Sequence, residues 1–314
     1  MNPIDRMQIF TRVAELRSFT QTADDFGMPK ASISTAVQQL EAQLGTRLLH
    51  RTTRKVQLTQ DGQAFYERSK DLLADIDEAQ TMFQQGGEAL RGRVRIDMST
   101  SIARHAVIPR LPELLTLHPL LELEVSGTER FVDVVREGFD CVVRGGTVTD
   151  AGLVARPVGQ MRMVNCVSPA YLAARGRPES VNDLATHHLV HFVNILGARS
   201  VGFEYLDGTQ ERRLPMGGSV TVNNADAYTA ACVAGLGIIQ VPYVGVQDLV
   251  AAGRLVEVLP GSVPMAMPLT LLYANRRNLA RRVRVVMDWL AEVLGAYLDS
   301  SQPPPAGVGI RLKK

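Results

Sequence analysis

Apolar residues recur at three- and four-residue steps in Met7, Phe10, Val13, Ala14 and Leu16, the spacing of one buried helix face. Ser18 is placed to cap a second helix, whose inward residues are read as Ala23 and Phe26. A tight break at Phe26–Pro29, eased by Gly27, precedes a third helix that buries Ile33, Val37 and Leu40 and stops at Leu44-Gly45. Its other face is polar and nearly uncharged: Lys30, Ser32, Ser34, Thr35, Gln38 and Gln39. Leu48-Leu-His-Arg-Thr-Thr-Arg-Lys-Val-Gln-Leu-Thr then alternates like two short strands with a charged tip. Two short helices about a tight turn, closed by a basic hairpin, make the pattern of a winged helix-turn-helix.

Thr59 caps the next helix, where Phe65, Ser69, Leu72, Ile76, Ala79 and Phe83 follow 4, 3, 4, 3, 4 spacing between charged flanks. So narrow a stripe predicts self-association, with packing onto its own domain as the alternative. Gly86-Gly87 and Gly92 end the helix at a hinge.

From Arg93 the pattern becomes α/β. Strands are predicted at Val94–Met98, Leu121–Val125, Cys141–Arg144, Met161–Val167, Leu189–Val193, Val220–Val222, Ile238–Val241, Leu255–Val258 and Leu269–Ala274, with a hairpin turn at Asp207-Gly208. Helices are predicted from Ser99 through Leu114, over Phe131–Arg136, Tyr171–Ala174 and Ala225–Ala234, and from Leu279 to Leu298. Residues 301–314, with the proline run from Pro303, read as a disordered tail.

With 314 residues, 46% of them hydrophobic, the chain can bury more than one core. A net charge of +2 excludes a polycation that coats nucleic acid indiscriminately. The charge is uneven, however, because Arg47, His50, Arg51, Arg54 and Lys55 stand together without an acidic residue. Alone that run would be a solvated face; directly after a helix-turn-helix it points to phosphate contact. Cys141, Cys166 and Cys232 have no metal-ligand spacing and read as buried small hydrophobes, a redox pair being the lesser alternative. The N-terminus lacks an apolar signal region, and no run approaches the roughly 18 apolar residues of a membrane span, so a cytoplasmic protein with no membrane partner is expected.

Together Phe10, Ser18-Phe-Thr, Ala23, Ser32-Ile-Ser, Val37, Leu40-Glu, Leu44-Gly, Leu48-Leu, Arg51-Thr, Leu58-Thr and Gly62 resemble the LysR-type bacterial transcriptional regulators. Val132-Asp, Glu137-Gly-Phe-Asp, Pro169-Ala-Tyr-Leu and Ala234-Gly-Leu-Gly-Ile extend that resemblance into the second half, over about Ile4 to Leu298. Met28-Pro-Lys and Gly127-Thr128 depart from the family's usual residues. The resemblance implies a regulatory half of two α/β subdomains, like periplasmic solute-binding proteins, crossed twice by the chain near Met161 and Met267. The expected organisation is a DNA-binding domain at 1–58, a linker helix and hinge at 59–91, subdomain 1 from 92–161 with 268–300, and subdomain 2 at 162–267. It also implies a small-molecule effector in the cleft between the subdomains, dimerisation through the linker helix, assembly to a homotetramer, and RNA polymerase as a further partner.

Lys30, Ser32, Ser34, Thr35 and Gln38 are the candidate groove contacts, since Gln pairs with adenine and Lys with guanine. Arg51, Thr52, Arg54 and Lys55 of the wing are candidates for backbone or minor-groove contact. For the effector, the hydroxyls of Ser99, Thr100 and Ser101 and the amides of Asn223 and Asn224 stand at helix starts, and Arg144 ends a strand. That set suits a small organic anion; ordinary capping, and a salt bridge from Arg144 to Asp140 or a neighbour, are the plainer readings.

Two other classes stay open at this level. An enzyme is disfavoured because no G-x-S-x-G elbow, phosphate loop or dinucleotide fingerprint occurs. The His187, His188 and His191 cluster lacks metal-ligand spacing, and neither cofactor nor metal is expected. A cytoplasmic small-molecule-binding protein of the solute-binding type, without a regulatory role, fits the α/β half alone.

Overall fold

The computed structural model describes residues 1–51, 56–81, 90–147, 152–274 and 279–300. Contacts divide the chain into one unit of Met1–Arg93 with Leu120–Glu122 and Ala280–Arg282, and a second of the remainder.

In the first unit, α1 (Pro3–Leu16), α2 (Phe19–Phe26) and α3 (Lys30–Leu44) precede the antiparallel pair β1 (Leu49–Arg51) and β2 (Val56–Leu58), then α4 (Gln60–Thr81). Their apolar stripes meet in one core of Ile9, Phe10, Val13, Ala23, Ile33, Ala36, Val37, Leu40, Leu48 and Leu49. Asn2 and Asp5 form a reciprocal capping box on α1, and Ser18 Oγ accepts from Gln21 N to start α2. Gly27 and Gly45 end α2 and α3 in the left-handed conformation. Phe26 departs from expectation, being 38% exposed, while Thr22 and Ala23 fill the inward face of α2. Gly62 is required by close approach, because a Cβ there would lie 1.9 Å from Leu48 O. On α4, Phe65 and Tyr66 pack on the winged-helix core and Ser69 is buried, whereas Leu72 and Ala79 face outward. The stripe therefore serves its own domain at its start, as the alternative reading held; Phe83 lies outside the described residues.

The second unit continues β3 (Arg91–Met98) into α5 (Thr100–Ile102), through π and 3-10 turns that reach Arg110, to α6 (Leu111–Leu117). Pro109 and Pro112 lack the N–H that an uninterrupted α-helix needs. There follow β4 (Leu120–Gly127), β5 (Cys141–Gly145), β6 (Leu153–Met161), β7 (Met163–Val167), α7 (Pro169–Arg175), β8 (His191–Phe192), β9 (Phe203–Asp207) and β10 (Gln210–Leu214). The chain ends in β11 (Thr221–Val222), α8 (Ala225–Val233), β12 (Ile239–Pro242), α9 (Gln247–Ala251), β13 (Val256–Val258), β14 (Met267–Ala274) and α10 (Arg281–Asp299).

One sheet has the order β4-β3-β5-β14-β6, and a three-stranded sheet has the order β12-β7-β13. The chain leaves the first sheet after Met161 and returns to it at Met267. Cys166, Tyr228, Cys232 and Ile239 centre the core over the smaller sheet. The hairpin at Asp207-Gly208 forms, with Gly208 at positive φ. One expectation fails and one strand was not foreseen. Phe131–Arg136 is not helical: the segment turns through Val134–Gly138, with Glu137 accepting from the Asp133 N–H and Gly138 at φ +71°. And Leu153–Met161 is a strand of its own, at the sheet edge where Pro157 is tolerated. No helix among the described residues is long and apolar enough to cross a membrane.

Candidate DNA-binding and effector-binding sites

Packing decides which face of α3 is presented. Ile33, Ala36, Val37 and Leu40 point into the core, leaving Lys30, Thr35, Gln38 and Gln39 exposed and Ser32 and Ser34 half-buried. The Thr35 hydroxyl donates to Ala31 O at 2.9 Å, which uses its proton and leaves its lone pairs as acceptors. No side chain caps α3, since Pro29 precedes it. Ser32 N–H and Ile33 N–H donate to Pro29 O, so the N–H groups of Lys30 and Ala31, with the positive dipole end, are what the lack of a side-chain cap leaves to an anion.

A residue outside the predicted set positions the wing. Glu41 Oε1 accepts from Leu48 N at 2.9 Å and Leu49 N at 3.1 Å, fastening β1 to the end of α3. Thr59 Oγ1 donates to Arg47 O and accepts from Gly62 N, so the start of α4 holds the same strand. Arg51 ends β1 opposite Val56. Thr52, Arg54 and Lys55 lie outside the described residues.

In the second unit, the six predicted effector residues do not form one open constellation. Ser99 Oγ accepts from Ile102 N and Asn224 Oδ1 from Ala227 N, so both are caps, the plainer reading. Asn223 is exposed. Arg144 is only 6% exposed, and its partner is Asp97 rather than Asp140. Its guanidinium also donates to Val143 O and Arg130 O, so the carboxylate it was expected to meet is supplied by the chain. Asp97 in turn accepts from the Thr128 hydroxyl at 3.0 and 3.1 Å. Thr100 and Ser101 open the helical run, and Ser101 lines a cavity of about 750 Å³ with Arg104, His105, Asp226, Thr229 and Arg254.

Sequence reasoning overlooked Glu129. Its Oε1 is buried without a hydrogen-bond partner among the described residues, although the N–H groups of Ala225 and Thr100 favour its ionised form. Burial nevertheless pushes its carboxyl above the usual range, against the pull of those N–H groups and of Arg144.

The histidine cluster is structural. Tyr171 Oη accepts from His188 N at 2.8 Å and meets His187 Nδ1 at 3.1 Å, while burial pushes the His187 imidazole down. His191 Nδ1 pairs with Ser200 Oγ. Burial raises all three thiols, Cys166 to about 12, which keeps them protonated and unreactive at neutral pH.

Comparison with known proteins gives two family matches. Residues 4–63 match the bacterial regulatory helix-turn-helix protein, lysR family, and residues 87–295 match the LysR substrate binding domain. The chain is 46% identical over 299 residues to the HTH-type transcriptional regulator YhjC of Escherichia coli K12, covering 95% of this chain and 100% of that one. An HTH-type transcriptional repressor of Pseudomonas aeruginosa is 34% identical over 306 residues, with 98% and 96% covered. The solved structure of CrgA, a LysR-type transcriptional regulator from Neisseria meningitidis, superposes with a TM-score of 0.60 at 27% identity, covering 94% of this chain and 99% of that one.

Proposed function

This chain belongs to the LysR family of bacterial transcriptional regulators, and from that premise we propose how its own residues divide the work. It is a DNA-binding transcriptional regulator with an effector-binding domain. Lys30, Ser32, Ser34, Thr35 and Gln38 of α3 read base edges in the major groove, and Arg51, Thr52, Arg54 and Lys55 hold the duplex backbone. The observation that carries this reading is the face of α3: its apolar residues are consumed by the core, leaving a slim polar surface on the second helix of the motif. Such a helix approaches base edges without steric obstruction, while wing cations neutralise phosphates.

The regulatory half, 92–161 with 268–300 and 162–267, holds a small molecule between its two α/β subdomains. The two passages of the chain between sheets, after Met161 and before Met267, support that division. The outward residues of α4, Leu72 and Ala79, support pairing of two copies along that helix and a homotetramer built from such pairs. The protein works in the cytoplasm, where promoter DNA and RNA polymerase are its partners, and the effector acts by binding two arrangements of the assembly unequally.

Gel retardation with DNA upstream of the chain's own gene, against random duplex at physiological ionic strength, tests the reading. Preferential retardation of the upstream fragment is expected; equal affinity for both would overturn it.

A further inference from the structure

Tyr171 and His187 meet around a single proton that has one place to go. The Tyr171 hydroxyl oxygen accepts the His188 N–H at 2.8 Å, and His187 Nδ1 lies 3.1 Å from the same oxygen. A tyrosine has one O–H to donate. Among the described residues no acceptor other than Nδ1 meets it, so His187 is neutral and Nδ1 carries no proton. The two side chains are 3% and 5% exposed, and water cannot readily replace this bond.

The bond pins a junction of the smaller subdomain. His187 closes the 3-10 turn Val181–Thr186, its N–H donating to Leu184 O at 3.1 Å. The residues that follow are stitched to two other segments. Ile238 N–H donates to His188 O and Leu189 N–H to Gly217 O, each at 2.8 Å, and Val190 N–H donates to Ile238 O at 3.0 Å. Gly237 passes so close that a Cβ would stand 2.8 Å from His188 O. Tyr171, Leu184, Leu189 and Ile238 fill one core. Through one hydroxyl, α7 therefore holds the segment that runs from the turn to the approach of β12.

Proton uptake at Nδ1 turns an acceptor into a donor, and two donors then face each other in a buried site. Asp183 of the 3-10 turn favours the imidazolium, whereas Arg175 of α7 and the adjacent His188 oppose it; Arg175 and Cys232 of α8 act on Tyr171. Residues 235–238 are Gly, Leu, Gly and Ile and add no charge. Burial is the largest influence and holds the imidazole below its ordinary range. A lowered folded value means that the contribution of neutral His187 is full above about 6.5 and lost as pH falls through the folded value.

We propose that Tyr171 and His187 form an acid-sensitive lock in the regulatory half, through which a fall in pH loosens residues 181–190 from α7 and changes DNA binding independently of the effector. The proton is then a second input to the regulator, bound unequally by the locked and loosened arrangements. No ligand takes part in this step.

The test uses the full chain as wild type, His187→Asn and Tyr171→Phe. Asparagine keeps an acceptor oxygen for the Tyr171 hydroxyl but takes up no proton. Amide hydrogen exchange of residues 181–190, corrected for the intrinsic effect of pH, is read by mass spectrometry at about pH 7.5 and about pH 5.5. Wild type should lose protection about tenfold at the lower pH, the equivalent of one pKa unit, while His187→Asn keeps it. Equal ratios in the two proteins overturn the proposal. Should His187→Asn not fold, Tyr171→Phe decides, because without the hydroxyl the two donors no longer meet. Its loss of protection should be smaller than that of wild type, and a loss as large overturns the proposal. Fluorescence anisotropy with the upstream DNA at the same two pH values reads the output. The affinity of wild type should change about fivefold more than that of His187→Asn, in which His50 and the candidate DNA contacts are unaltered. Unequal exchange with an identical pH dependence of DNA affinity also overturns the proposal.

Discussion

Glu41 near the C-terminal end of α3 accepts from the backbone N–H of Leu48 at 2.9 Å, and one carboxylate oxygen thereby joins α3 to the first strand of the hairpin. Leu49 N–H shares the same oxygen. Removing it leaves two N–H groups beside the buried Leu48 and Leu49 side chains. Glu41→Ala is expected to destabilise the N-terminal unit by about 1–3 kcal/mol, the cost of unsatisfied buried donors. Thermal unfolding measures the loss, and gel retardation should show weaker binding to every duplex, because the wing is no longer held. A variant as stable as wild type would remove Glu41 from this role.

Gly62 is tested by a single methyl. Its Cβ would fall 1.9 Å from Leu48 O, backbone that cannot swing aside as a flexible side chain can. Gly62→Ala is expected to cost about 1–3 kcal/mol through overpacking, read as a lowered melting temperature of the N-terminal unit. Unchanged melting would show that Leu48 and the start of α4 do not approach as described.

Arg144 and Asp97 are 6% and 0% exposed, so their charges are compensated mainly by each other. Arg144→Ala leaves Asp97 buried with only the Thr128 hydroxyl, and is expected to destabilise the chain by about 3–5 kcal/mol. Replacing both, as Asp97→Leu with Arg144→Met, should cost much less than the sum of the single changes. Urea unfolding of the three variants gives the comparison. Additive losses would show that the pair is not coupled.

Much of the fold was readable because its signals are local. Ile33, Val37 and Leu40 recur at helical spacing, and Ser18, Gly27 and Gly45 mark helix ends by their own chemistry. Phe131–Arg136 misled because Phe131 and Val134 have helical spacing, yet Phe131 and Val135 are 60% and 62% exposed and Glu137 with Gly138 closes a turn instead. The strand Leu153–Met161 hid behind Pro157, which only an edge position excuses. The candidate effector site was least legible, since Arg144 finds Asp97 47 positions away. Residue type alone marked Arg144 as an anion binder; only the pairing shows the anion is already present.

Two carboxylates should give opposite pH signatures. The Glu129 carboxyl is raised, chiefly by burial, with Asp226 adding and Arg144 opposing. A raised folded value means its contribution is full below the ordinary carboxylate pKa of about 4.3 and lost as pH rises through the folded value. The stability of wild type relative to Glu129→Gln should therefore fall with rising pH in that window. Glu137 is lowered to about 2 by Arg130 and the Asp133 N–H, so its contribution persists above the ordinary value and disappears as pH falls toward about 2. Urea unfolding across a pH series, with Glu129→Gln and Glu137→Gln as references, separates the two. Parallel slopes for both variants would refute the assignment of environments.

Base reading and phosphate holding are separable by salt. Gln38 is exposed on the face of α3 that the core does not consume, and a bidentate amide contact to adenine is worth about 1–3 kcal/mol of discrimination. Gln38→Ala should therefore weaken binding to the preferred sequence about 5- to 150-fold, with affinity for random duplex unchanged. Arg54 is proposed to touch phosphate, which carries no sequence information. Arg54→Ala should weaken both duplexes alike and reduce the slope of log affinity against log salt by about 1. Fluorescence anisotropy at several salt concentrations measures both quantities in one titration series. If Gln38→Ala changed the salt slope while Arg54→Ala changed only sequence preference, α3 and the wing would have exchanged roles, and the polar face of α3 would no longer argue for groove insertion.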